Sequence, residues 1–156
     1  MTPTGDAVGR PCQAASNGPV ITEVGMLVWI VVGLGGAFGA MARHGVNGLV
    51  HQHWPLLRFP LATVVVNILG CCLFGLLAGA VASGRLPMSV NWRQFAFVGV
   101  IGGFTTFSTF GFETVTLVRA GASGQAAFNI ALQLAGGIGG LYVGLLIAER
   151  VGPTIP

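Results

Sequence analysis

The sequence predicts an all-α membrane protein of four transmembrane helices, the third of them broken at membrane depth. Composition sets the class: 53% of the residues are hydrophobic, 7% are charged, and 26 of the 156 are glycine, a balance found in membrane proteins and not in soluble domains. Four stretches almost free of charge supply the spans: 27–42 with an apolar continuation past Arg43, 59–83, 94–118 interrupted only by Glu113, and 126–148. Each reaches the roughly 20 residues that a helix needs to cross about 30 Å of hydrocarbon. The break is read from Gly102-Gly103-Phe104-Thr105-Thr106-Phe107-Ser108-Thr109-Phe110, where glycine, hydroxyl and aromatic side chains replace the Leu, Val, Ile and Ala that lipid favours.

Residues 1–25 are polar, contain Pro3, Pro11 and Pro19 and show no helical period, so they are expected to form a disordered extension dispensable for function, or one that arises from a start codon placed too early. No charged n-region leads directly into the first apolar run and no small-residue cleavage site closes it, so a cleaved signal peptide is a poor alternative to a first transmembrane helix. The four-helix transmembrane domain is expected to span 26–150, with 151–156 as a short tail. In the first helix, Gly35 and Gly39 stand four apart and allow a neighbouring backbone to come close. A connection holding His51, His53, Trp54, Pro55 and Arg58 follows, with Trp54 suited to the headgroup level. The second helix starts after Pro60 and sets Thr63, Asn67 and Gly70 on one face. Asn67, within an uncharged run, must find its hydrogen bonds inside protein.

After a surface turn at 84–91, the third helix meets Gly102-Gly103 followed by two stiff threonines, a combination that disfavours continuous helix. A break there is tolerated only against protein or a cavity, and it frees carbonyls for a cation. Further on, Phe107, Phe110 and Glu113 recur every third residue and form a stripe. Aromatic ring edges carry the positive end of the quadrupole, so such a stripe attracts a small anion without the fixed charge that would trap it. Glu113 is the only acid inside any span and marks a functional position by default; Arg43 is its nearest counter-charge in concept. The fourth helix repeats Gly136, Gly140 and Gly144 at a four-residue period, a signature of tight helix contact. Asn129 and Gln133 share another face and either bond a partner helix or line a polar path. Small-residue faces exceed what one four-helix bundle can pair, which implies an oligomer.

The net charge of +3 comes from arginine alone, and the arginines are scattered, so no basic patch exists for nucleic acid. Arg85, Arg93 and Arg150 face Arg43, Arg58 and Arg119 across the predicted membrane; this near balance removes the usual bias in orientation and permits insertion either way up. Cys12, Cys71 and Cys72 have neither metal spacing nor bridging geometry. No nucleophile, metal cluster or acid–base pair at workable spacing points to an enzyme. Two rival readings are a proton-coupled exporter of cationic drugs using Glu113, also an antiparallel dimer, and a structural subunit of a larger membrane complex.

From Met26 onward the chain resembles the Fluc/CrcB fluoride channels over about 120 residues. The resemblance is carried by Gly35-Gly36 through Gly39 to Arg43, by Thr63 through Asn67 to Gly70, and most specifically by the run from Gly102 to Phe110 with Glu113. It implies a dual-topology antiparallel homodimer in the bacterial inner membrane, with two parallel fluoride pathways and no other protein partner. It also implies a structural sodium ion at the dimer centre, held by the Gly102 and Thr105 carbonyls of both subunits. Phe107 and Phe110 become an aromatic box, Asn67 the amide donor to fluoride, Ser108 and Thr109 part of a polar track, and Arg43 a vestibule arginine. Departures from the family pattern occur at His44, Ala62, Cys72 and Gly111, and Ile130 and Gly137 stand near a Tyr and Ser row of the fourth helix. These leave the box intact and bear on the track beyond Phe110.

Overall fold

The computed structural model describes residues 25–56 and 59–150. The expected disordered extension (apart from Gly25), the C-terminal tail, Cys12 and Arg58 lie outside the described residues. Four helical spans are present: α1 (Met26–His53), α2 (Leu61–Ala82), α3 (Val90–Arg119) and α4 (Ser123–Arg150). All are long and apolar enough to cross a bilayer, and no strand occurs among the described residues.

Helix α1 runs farther than its apolar pattern. His51 and His53, read from sequence as part of a solvated connection, form its last turn. Nothing stops the helix before Trp54-Pro55, and imidazoles suit a helix C-terminus, where the dipole is negative; His53 Nδ1 lies 2.9 Å from the Leu49 carbonyl. Arg43 consequently sits just past the middle of α1 and not near its end.

Span α3 is composite. Its first half is α-helical over Val90–Arg93, π-helical over Gln94–Ile101 and α-helical again over Gly102–Phe104. Thr105 and Thr106 are extended, with φ/ψ of −77°/157° and −148°/111°, and helix resumes over Phe107–Arg119. Gly102 and Gly103 are themselves helical, and the interruption falls at the two threonines of the same run, where the sequence reading expects a break. A Cβ at Gly103 would lie 2.6 Å from the Gly36 carbonyl oxygen of α1, so this glycine serves a close helix crossing.

Small residues set the remaining contacts. A Cβ at Gly35 would stand 2.6 Å from the Phe95 carbonyl, and one at Gly39 would collide with the Val100 carbonyl. On α4, Gly140 and Gly144 face Ile68 and Cys72 of α2 at backbone contact, so the predicted glycine period is the α2–α4 seam. The first half of α3 lies along α1, while its second half leaves α1 and packs on α4 and α2. Arg85, between α2 and α3, donates to the Ala148 and Glu149 carbonyls at the end of α4, closing off acceptors that a helix C-terminus leaves open.

Burial within one chain is sparse. Val66 and Asn129 are the largest fully buried side chains, whereas Leu34, Phe38, Met41, Phe107, Phe112, Ile138 and Tyr142 are exposed. Outward apolar faces of this extent belong against lipid or another protein surface.

Candidate functional site

The interruption at Thr105–Thr106 organises the site. In an unbroken helix the Thr106 N–H would donate to the Gly102 carbonyl and the Thr109 N–H to that of Thr105. Here Thr106 N–H donates to Asn67 Oδ1 at 2.8 Å, and Thr109 N–H donates to Thr106 Oγ1 at 3.3 Å. The carbonyls of Gly102 and Thr105 are thus released from the helical ladder. Gly102 is exposed on the chain's surface, and Thr105 O accepts a long 3.3 Å bond from Arg43 Nη1.

Asn67 splints the break from α2. Besides accepting from Thr106 N–H, it donates through Nδ2 to the Thr106 carbonyl and to Gln133 Oε1, both at 3.0 Å. Such a clasp explains how an extended pair survives between helices: each buried backbone group needs a partner, and Asn67 satisfies both polar groups of Thr106. Thr106 also caps the second half of α3, its hydroxyl lying 2.9 Å from Thr109 Oγ1 and 3.3 Å from Ser108 Oγ.

Beside this clasp lies a cavity of about 230 Å³ lined by Asn67, Thr105, Thr106, Phe107, Phe110 and Gln133, with Cys71 and Leu134. The Phe107 and Phe110 rings meet edge-on, with centroids 5.4 Å apart and planes at 64°. Phe107 is 79% exposed in the single chain. No Lys, Arg or His lines the cavity, so what it offers an anion is ring edge and neutral dipole.

The structure brings Asn67, Phe107, Phe110 and the Thr105 backbone together and sets the other predicted residues apart. Ser108 and Thr109 are exposed and linked to the Thr106 hydroxyl, not to this cavity. Glu113 accepts a 2.7 Å hydrogen bond from Thr63 and lines a second cavity of about 220 Å³ with His51, Phe59, Pro60, Phe112, Thr116 and Leu117. Arg43 reaches the break and not Glu113, so the conceptual pairing of the two is replaced by two separate hydrogen bonds.

Two residues have roles that sequence reasoning left open. Asn129, fully buried, donates to Thr114 Oγ1 at 2.9 Å and so ties α4 to the second half of α3. Gln133 faces the cavity. Their shared face on α4 was visible as a four-residue spacing, yet which helix that face met required the fold.

Comparison with known proteins bears on this geometry. A family model described as "CrcB-like protein, Camphor Resistance (CrcB)" matches residues 30–145. A Methylobacillus flagellatus protein named "Fluoride-specific ion channel FluC" is 44% identical over 120 residues, covering 77% of this chain and 93% of that protein. A protein of the same name from Hyphomonas neptunium is 41% identical over 123 residues, 79% of this chain and 96% of its own length. "Fluoride-specific ion channel FluC 2" of Symbiobacterium thermophilum is 43% identical over 120 residues, 76% and 95% of the two chains.

Proposed function

The chain belongs to the CrcB-like family, and from that premise we propose that it is a fluoride-specific ion channel through which cytoplasmic fluoride leaves the cell passively. It is a multi-pass protein of the bacterial plasma membrane and a channel, not an enzyme. The observation that carries the proposal is the cavity beside the broken third span, where two phenylalanine edges and neutral amide groups meet without a fixed cation. Fluoride holds its water tightly, so a path for it must supply donors in place of the hydration shell, while binding loosely enough to release the ion. Ring edges and amide N–H groups meet both demands. Neutral HF enters, dissociates inside, and the anion departs down its gradient, so no energy source is required.

Two finer readings accompany this one. The working unit is an antiparallel homodimer: the carbonyl of Gly102, a residue exposed on the chain's surface, is released from the helical ladder and needs a partner that lipid cannot provide, and balanced arginines allow both insertions. The second is a structural sodium ion held by the Gly102 and Thr105 carbonyls. These are hard oxygen donors freed from their helix, of the kind that suits such an ion, and two copies would double their number. The ion would supply fixed positive charge to the paired breaks.

Efflux from proteoliposomes tests the function. Vesicles loaded with fluoride or chloride, with no pH gradient, are expected to lose fluoride quickly and retain chloride. Fluoride retention equal to that of empty vesicles overturns the proposal, and transport that requires a proton gradient and Glu113 favours the exporter.

A further inference from the structure

We infer that the fluoride path has an aqueous mouth in a further cavity along α2, and that Arg93 at its rim gathers anions before they reach the aromatic pair. The inference rests on the fluoride-channel reading and concerns how the ion arrives. The cavity holds about 460 Å³ between α2 and the first half of α3, with Phe74, Ala78 and Val81 on one wall and Arg93, Gln94 and Phe97 on the other. It stays open because α3 lies along α1 here and α2 offers only an alanine at 78. At its inner end the Phe74 and Phe97 rings meet edge-on, with centroids 4.9 Å apart.

One face of α2 connects this space to the site already described. Asn67 and Cys71 line the cavity of the aromatic pair. Phe74, Ala78 and Val81 follow at spacings of three and four, which keeps all five on one side of the helix. With a rise of about 1.5 Å per residue, Ala78 lies only about 16 Å along α2 from Asn67. Asn67 also identifies this as the side that α2 turns toward protein, because an amide facing hydrocarbon would find no partner. The cavity therefore leads from the end of α2 at Ala82 down the same face toward the rings.

Arg93 is placed to act on an ion there and is not consumed by structure. It stands three residues into α3 and is exposed, and its long stem lets the guanidinium reach water at headgroup depth. Arg43 and Arg85 are both held by carbonyls, whereas no hydrogen bond or ion pair engages Arg93 among the described residues. No acid among the described residues lines the cavity to cancel its charge. A cation at the rim raises the local concentration of anions. It does so outside the narrow part of the path, where a fixed charge would hold the ion too tightly to conduct.

Fluoride efflux from proteoliposomes at low and high ionic strength tests the role of Arg93. Arg93→Gln is expected to lose fluoride about threefold more slowly than wild type in dilute buffer, the effect of one unit charge several ångströms from the ion's route in water. The difference should close at about 1 M of an impermeant salt, where the screening length falls to about 3 Å, and Arg93→Lys should recover most of the rate. Equal efflux in dilute buffer, or a deficit that salt leaves unchanged, overturns the assignment. Ala78→Cys examines the cavity itself. A charged, water-soluble thiol reagent is expected to abolish most of its efflux, with wild type treated alongside to account for the native cysteines. A thiol at 78 that stays unmodified in the folded protein shows a lipid tail or a second copy in the cavity and overturns the proposal, as does modification that leaves efflux unchanged. Wild type that passes no fluoride refutes the channel reading instead, a distinguishable result.

Discussion

At the scale of single residues, the site is a division of labour between groups that bind and groups that hold. Phe107 and Phe110 present ring edges across a 5.4 Å centroid separation, and an aliphatic side chain of similar bulk has no comparable edge charge. Phe107→Ile or Phe110→Ile is therefore expected to slow fluoride efflux by about tenfold or more while the protein elutes from size exclusion as wild type does; unchanged efflux would remove the rings from the pathway. Their stripe was readable from spacing alone, because residues three apart share a helix face whatever surrounds them. The partners of Asn67 were not readable. A polar residue within an apolar span announces that it must bond inside protein, but nothing local to 61–82 reveals that Thr106 and Gln133, on two other helices, receive it. Glu113 repeats the lesson, since its bond to Thr63 joins residues fifty positions apart.

At the scale of elements, the four spans and the α2–α4 glycine seam follow directly from hydropathy and a four-residue period. The π-helical segment Gln94–Ile101 does not: its residues are as apolar as those of any buried helix, and nothing in that pattern announces the wider winding of the stretch that lies along α1. Of the residues read as weakening the helix, the threonines are the extended ones, while Gly103 stays helical and answers to a neighbouring backbone as much as to its own dihedral freedom. Gly39→Ala tests that view. The added methyl would meet the Val100 carbonyl and the Phe104 nitrogen, and overpacking of this sort costs about 1–3 kcal/mol. A lower thermal midpoint for loss of the assembled species on size exclusion is expected, whereas Gly48→Ala, where a Cβ meets nothing within 4 Å, should leave it in place.

At the scale of the whole molecule, a single chain is thinly packed, with Phe107 exposed beside the cavity, the exposed Gly102 released from the helical ladder and the Thr105 carbonyl accepting only a long bond from Arg43. On the proposed dual topology, a chain inserted in both senses would complete itself with its own copy. Adding two arginines to the turn at 84–91 should commit every copy to one orientation and abolish fluoride efflux from cells; co-expression with a variant biased oppositely should restore it. Persistent efflux from the biased variant alone would contradict the antiparallel pairing. The arginine tie at the end of α4 then acquires a meaning beyond helix closure. Arg85 engages the Ala148 and Glu149 carbonyls, so its cation is matched to a helix terminus and is not left to the aqueous face. Trimming the chain ahead of Ala148 would do more than shorten a rod: it would take those two carbonyls from the Arg85 guanidinium, and on the dual-topology proposal the balance of up and down copies would tip.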